Sequence, residues 1–365
     1  VLPESIDVKN TPRAVLFAPT QTLLKELYTL ICSIAVENGV ELDIPGGLDA
    51  RVFMLEAIRE GQSSSQPAND AYSGPLVNAS TLVAAKRRYD PVFSVESEQG
   101  EHVLQNFLKL HNALSNPSPP NVRRIIGGTS MTNPSTIQEP ATEATHSPKP
   151  HYSVAMGGTF DHLHIGHKLL LTGTALALSP PDSTTPIDRV LTVGITGDEL
   201  LTNKKYAAEV ESWDLRQKRT AEFFESIFAF PAAKDLLGSR MTQKINRPGP
   251  NGHIVRVTFL SLTSDSTTTI NYTRLSDPYG PTITDQNISA KLSTTSAQRK
   301  GGLPWTYSKW TSSMGRLGPR TRARVSSPKI CSNRRSVALR YGENWLRSKA
   351  VITNWRRIMN RISCD

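Results

Sequence analysis

Tyr152-Ser-Val-Ala-Met-Gly-Gly-Thr-Phe-Asp-His-Leu-His-Ile-Gly-His167 is the stretch whose reading decides the fold. Its apolar opening, Val154 to Met156, reads as a short strand. Gly157, Gly158 and Thr159 form a tight turn. The mostly apolar run from Leu169 to Leu178 reads as a helix. His162, His164 and His167 gather where that helix begins. A strand that turns straight into a helix presents unpaired backbone N–H groups and the positive end of the helix dipole, so it favours an anion.

Working outward toward the C-terminus, Arg189-Val-Leu-Thr-Val-Gly-Ile195 predicts a buried parallel strand. A short helix follows at Thr196-Gly197-Asp198, and a longer one over Trp213 to Phe230, with Leu215, Phe223, Phe224 and Ile227 facing the core. Residues 231–252 read as an insertion, and Ile254 to Leu262 alternates as a strand. Strand, helix, strand, helix, strand predicts an α/β fold with a doubly wound parallel sheet, Rossmann-like, over 151–302.

Working outward toward the N-terminus, residues 115–150 are rich in Pro, Ser and Thr and read as linker, interrupted by a strand at Val122 to Ile126. Residues 1–112 predict a smaller α/β region: a buried strand over 12–18, a helix from Gln21 to Glu37 capped by Thr20, and a strand within Leu42 to Phe53. A polar loop follows over 61–74, then a helix over 101–114 with Val103, Leu104, Phe107 and Leu108 inward. The expected organisation is thus 1–112, a linker over 113–150, 151–302, and a basic tail over 303–365.

The net charge of +10 sits in that tail. Residues 298–365 hold 16 Lys/Arg against Glu343 and Asp365, a net of +14, which leaves the first 297 residues at −4. Nucleic acid is therefore not the expected partner of the histidine turn. Cys32, Cys331 and Cys364 are far apart and form no CxxC pair, which fits a reducing, cytoplasmic compartment rather than a disulfide framework. No signal peptide is read at the start of a chain that begins at Val1 rather than Met, so that its true N-terminus is expected to lie upstream, and no apolar run approaches the length expected of a membrane span.

His164 and His167, three residues apart at a helix start, face one ligand. They suit a metal, acid–base work, or the oxygens of a phosphate. Asp161 is the one acidic group close by and reads equally as a cap, so no metal ligand is assigned. Gly157, Gly158 and Gly166 allow close backbone approach to a bulky anion. Lys204, Lys205, Arg216 and Arg219 add cations in the same region. Phosphate chemistry is the reading these residues favour, with His162 as well suited to a cap. Neither a Walker A motif nor a dehydrogenase glycine fingerprint is present, which argues against P-loop and nicotinamide enzymes.

Gly158-Thr-Phe-Asp-His-Leu-His-Ile-Gly-His167 resembles the (T/H)xGH signature of the nucleotidyltransferase superfamily. His-Ile-Gly-His also occurs in class I aminoacyl-tRNA synthetases, but the preceding Gly-Gly-Thr-Phe-Asp-His points to adenylyl- and cytidylyltransferases of small substrates. Three further stretches are similar to eukaryotic-type phosphopantetheine adenylyltransferase, also found as a domain of coenzyme A synthase. They are Val193 to Lys205, Glu211 to Arg219 and Leu275 to Asp285.

The resemblance implies transfer of AMP from ATP, with Mg²⁺, to 4′-phosphopantetheine. It implies that His164 and His167 hold nucleotide phosphates and stabilise the transition state, and that Thr159 holds the reacting phosphate. Lys205 or Lys204 would meet phosphate from the other side, with Arg216 and Arg219 as weaker carry-overs. Phe160 and Asp161 belong to the motif. Asp277 and Gly280 shape the pocket wall or form a plain turn. Rival readings are a cytidylyl- or adenylyltransferase with another small phosphate acceptor, and a catalytically impaired nucleotide-binding protein.

The resemblance ends after Ala290. The family's Ser-x-Glu-Thr segment is absent from Lys291-Leu-Ser-Thr-Thr-Ser-Ala-Gln-Arg-Lys-Gly-Gly302. Two readings of residues 291–365 stand: a shift of coding frame or exon boundary, and a genuine basic tail for acidic partners.

Overall fold

Over residues 12–18, where the sequence predicts a strand, the chain is helical. In the computed structural model, α1 (Arg13–Glu37) starts directly after Pro12 and runs through Pro19. Read at period two, Val15-Leu16-Phe17 resembles a strand. Burial follows the helical period instead, at Leu16, Phe17, Thr20, Leu24, Tyr28, Cys32 and Ala35. Pro19 removes one helical hydrogen bond, and the packed face outweighs that loss.

The structure describes residues 11–292, apart from 43–46, 57–71, 73, 86, 88, 114–119, 128–148, 182–185, 205, 232–239, 262–265, 278, 279 and 283. The tail beyond 292 and most of the predicted 61–74 loop lie outside the described residues. Those described fall in one compact unit, Val1–Leu292.

The strand expected within Leu42 to Phe53 is displaced. A bridge joins Leu42 to Leu48, and β1 (Met54–Leu55) pairs in parallel with β2 (Leu76–Val77). Next comes α2 (Ala79–Ala84), capped by Asn78, whose side-chain oxygen accepts the Thr81 N–H at 2.7 Å. A small βαβ unit follows: β3 (Val92–Glu96), α3 (Glu98–Ala113) and β4 (Val122–Ile126), the two strands parallel. Both the helix predicted over 101–114 and the strand predicted at Val122 to Ile126 are present. Of the four residues expected to face inward from α3, Leu104 is buried and the other three are half-buried.

The main sheet is built from β5 (Ser153–Gly158), β6 (Arg189–Thr196), β7 (Arg240–Asn246), β8 (His253–Leu260), β9 (Thr267–Leu275) and β10 (Ala290–Leu292). α4 (Ile165–Ala177) joins β5 to β6, and α5 (Trp213–Phe228) follows β6. The spatial order is β10-β5-β6-β9-β8-β7. The first four strands are mutually parallel, and β8 and β7 are antiparallel additions, giving a mixed α/β fold.

Three expectations change here. The third parallel strand is β9, not the run from Ile254 to Leu262, which forms antiparallel β8. β9 reads as Thr-Thr-Thr-Ile-Asn-Tyr-Thr-Arg-Leu, and its threonines disguise a strand whose β-branched side chains suit a pleated surface. The predicted insertion over 231–252 contains β7. Leu215 faces solvent, because the buried face of α5 runs through Trp213, Arg216, Thr220, Phe223, Phe224 and Ile227.

Register explains the core. Val154, Leu191 and Ile270 lie side by side across β5, β6 and β9, with Met156, Val193 and Tyr272 one step along. All six are essentially inaccessible. α4 and α5 pack against each other and against these strands.

The N-terminal region packs on the same body. α1 lies against α4. The Tyr72 ring stacks on Phe259 at 4.6 Å, and Phe53 meets Phe230 edge-on at 5.5 Å. Arg87 donates to the carbonyls of Ser226, at 2.5 Å, and Ala229 at the end of α5, with its guanidinium 4.1 Å from the Phe230 ring centre. Among the described residues, no helix is long and apolar enough to cross a membrane.

Candidate functional site

β5 carries the chain to the carboxyl edge of the sheet, where Gly157 and Gly158 sit beside Gly194 and Ile195 of β6. The turn that follows is held by two non-glycine residues in left-handed conformations, Phe160 (φ 53°) and His162 (φ 44°). Such conformations cost about 1–3 kcal/mol each and persist where surrounding contacts enforce them. The Phe160 ring is fully buried and lies 5.3 Å from His167. A Cβ on Gly158 would stand 3.0 Å from that ring, so glycine makes the room Phe160 occupies.

His164 is the cap of α4. Its Nδ1 accepts the Gly166 N–H at 3.1 Å, which places the proton of the neutral imidazole on Nε2. A Cβ on Gly166 would sit 3.1 Å from the His164 ring, so this position also favours glycine. His167 stacks on His164 with ring centres 3.9 Å apart. Its Nδ1 is buried and has no hydrogen-bond partner among the described residues.

Burial lowers the His164 pKa to about 4. The nearby Asp161 charge opposes that shift, while His162 and Lys168 add to it. Burial also holds His167 well below the ordinary imidazole value. At neutral pH the pair is therefore uncharged, and His164, whose Nδ1 already accepts the Gly166 N–H, offers its Nε2–H.

Thr159, the first residue beyond β5, receives a hydrogen bond from Lys204 Nζ at 3.3 Å. This brings Thr159, His164, His167 and Lys204 to one end of the sheet. Lys205 lies outside the described residues. Arg216 is fully buried. Its guanidinium donates to the carbonyls of Glu211 (2.8 Å), Thr159 (2.6 Å) and Thr196 (2.9 Å) and to Asp198 Oδ1 (2.6 Å). Arg219 pairs with Glu211.

Asp161 accepts the Glu211 N–H at 2.9 Å, and the His162 N–H reaches Glu211 at 3.2 Å, which ties the turn to the start of α5. Asp161, His162 and Glu211 bring three atoms suited to a metal within 4.8 Å of one another. His162 itself is exposed and 3.1 Å from Asp161. Farther along, Asp277 Oδ1 accepts the Gly280 N–H at 2.7 Å, and Asn251 bonds the other oxygen. Gly280, at φ 59°, packs on Leu275 at the end of β9.

Sequence reasoning singled out neither Asp198 nor Glu211, which anchor Arg216 and the turn. Asp198 follows Gly197 at the end of a parallel strand, and that position was the available signal. It also gave no role to Lys168, next to His167, which is buried and bonded to Asp49 of the N-terminal region at 2.5 Å.

A family model described as a domain of unknown function (DUF8446) matches residues 1–131. The chain is 32% identical over 130 residues to the phosphopantetheine adenylyltransferase of Saccharomyces cerevisiae, covering 35% of this chain and 38% of that protein. It is 39% identical over 77 residues to the phosphopantetheine adenylyltransferase of Thermococcus gammatolerans, covering 21% and 42%. With that of Pyrococcus abyssi the identity is 35% over 72 residues, covering 20% and 40%. The chain spans about two fifths of the length of these curated relatives. No solved structure matches it significantly. These partial likenesses support a nucleotidyltransferase-like relationship.

Proposed function

We propose that this chain is an adenylyltransferase that moves AMP from ATP to 4′-phosphopantetheine, giving dephospho-coenzyme A and pyrophosphate in coenzyme A synthesis. The observation that carries the reading is the stacked, neutral His164–His167 pair at the start of α4, behind a glycine strand end. The names of the partial relatives supply the acceptor. We read the sheet as doubly wound. The chain steps from β5 to β6 to β9 and then returns to the opposite side of β5 as β10. Ligands bind where the strand order reverses in this way, and the histidine turn leaves β5 there.

In this mechanism the triphosphate lies over the first turn of α4. The His164 Nε2–H donates to a phosphate oxygen, and His167 adds its own ring N–H. A phosphate oxygen of the acceptor attacks the α-phosphorus in line. The bond to the β-phosphate breaks, and pyrophosphate leaves with its electron pair. Positioning and charge stabilisation carry most of the rate. Thr159 and Lys204 bind the reacting phosphate, while Arg216 positions Thr159 through its carbonyl.

Bound with ATP, Mg²⁺ would supply positive charge to the triphosphate oxygens. Such an ion is held chiefly by phosphate oxygens and water. That fits a turn whose acidic groups, Asp161 and Asp198, already accept protein hydrogen bonds. The reaction is assigned to the cytoplasm, in keeping with three cysteines that lie far apart in the sequence and form no CxxC pair.

The test is pyrophosphate release from ATP and Mg²⁺ with a panel of phosphate acceptors. Release with 4′-phosphopantetheine is expected, and His167→Ala should lower kcat by about 10²–10³-fold. Release with a different acceptor alone would reassign the substrate. Nucleotide binding without release under any condition would identify an impaired binder.

A further inference from the structure

Lys168 is 3% exposed, and its ammonium lies 5.7 Å from the centre of the Phe223 ring. The same ammonium bonds Asp49 Oδ1 at 2.5 Å, across 119 residues of sequence. Asp49 is itself oriented. Its other oxygen accepts Arg51 Nε at 2.9 Å and Nη2 at 2.5 Å, so the carboxylate is gripped on both sides. Burial of Asp49 alone would raise its pKa, but these two partners hold it below the usual carboxylate value, so it stays ionised.

The Asp49 side chain is about half exposed, and it balances the buried Lys168 ammonium from the edge of the body. What it touches is the hydrogen-bond chain of the histidine turn. The Lys168 N–H donates to the His164 carbonyl at 3.0 Å. His164 Nδ1 accepts Gly166 N–H, and the His164 ring stacks on His167. A force on the Lys168 side chain therefore reaches both imidazoles within one helical turn.

We infer that Asp49 is a positioning residue for this turn: it holds Lys168, and through Lys168 it holds the first turn of α4 that presents His164 and His167. The region matching the domain of unknown function thereby becomes a working part of the nucleotide site. The inference rests on the reading of that turn as a phosphate site. It extends that reading by giving residues 1–131 a role in it.

The test uses the full chain with Asp49→Asn, Asp49→Glu, Lys168→Met and the Asp49→Asn/Lys168→Met double variant. Without any ligand, amide exchange at Gly166 and Lys168 should speed about tenfold in Asp49→Asn. Asp49→Glu should recover most of the protection. In the Lys168→Met background, Asp49→Asn should add nothing. In turnover, Asp49→Asn should lower kcat about tenfold, with KM for ATP changed less than about twofold. Wild-type exchange in Asp49→Asn overturns the inference. So does an equal effect of Asp49→Asn in both backgrounds, because Asp49 would then act elsewhere. If exchange behaves as expected but no acceptor yields pyrophosphate, the brace stands and the adenylyl-transfer reading fails.

Discussion

At the residue scale the two imidazoles make a testable acid sensitivity. Burial holds the folded pKa of His164 near 4, against 6.5 for an unburied imidazole. Between those values the unfolded chain binds the proton and the folded chain does not. The stability gained from a neutral His164 is therefore complete above about pH 6.5 and is lost as pH falls toward 4. His167 acts in the same direction. His164→Asn keeps a side-chain acceptor at the cap of α4 but removes the titration. Between pH 7 and pH 5 the wild type should lose about 1–2 kcal/mol more than this variant, read as the difference in their melting-temperature shifts. Equal shifts in the two proteins would mean that His164 is already exposed to solvent. The histidine cluster was legible in the sequence because its chemistry is local: spacing, glycines and a strand end fix where it sits. The division of labour was less legible. His162 is exposed, His164 is a cap, and His167 is its half-buried stacking partner, and this follows from left-handed turns at Phe160 and His162 that residue types alone do not reveal.

At the element scale the informative case is α5. A cation near a phosphate turn invites a phosphate contact, and the sequence counts Arg216 among four such cations. Its position along the helix carries a different signal. Trp213, Arg216, Thr220, Phe223 and Ile227 recur at helical spacing, which is the buried face. Arg216 binds three carbonyls and a carboxylate there, and so ties α5 to the ends of β5 and β6. Lysine has a single compact ammonium and cannot satisfy those directions together. Arg216→Lys should lower stability by about 3 kcal/mol, or roughly 6–12 °C in melting temperature, while a simple phosphate contact would lose ATP affinity with the melting point unchanged. β9 is the converse case. Its polar composition hides a central strand, because four of its nine residues are threonines, whose branched side chains nonetheless suit a pleat.

At the scale of the whole molecule, sequence patterns say least. Among the described residues, the ties between the N-terminal region and the body around the sheet join residues far apart: Asp49 to Lys168, Tyr72 to Phe259, Arg87 to Ser226 and Ala229. Periodicity reports which face of an element is buried, not which distant element covers it. Arg87 is the sharpest of these ties. Its guanidinium meets the carbonyls that α5 leaves without helical partners, at the negative end of the helix dipole, and it covers the Phe230 ring. Phe230 in turn packs with Val77 and Ala85, with Phe53, Leu55 and Leu82 around them, so the contact joins the small parallel pair to the end of α5. Arg87→Ala removes two charge-assisted hydrogen bonds and a ring contact, and should cost about 2–4 kcal/mol. If the N-terminal region and the sheet unfold together, calorimetry should show one transition whose midpoint falls by about 5–12 °C in the variant. Two transitions in the wild type, of which Arg87→Ala moves only the lower, would make the N-terminal region an independent appendage. A brace from Asp49 to the histidine turn requires the single transition, since a region that melts separately cannot hold the site in place.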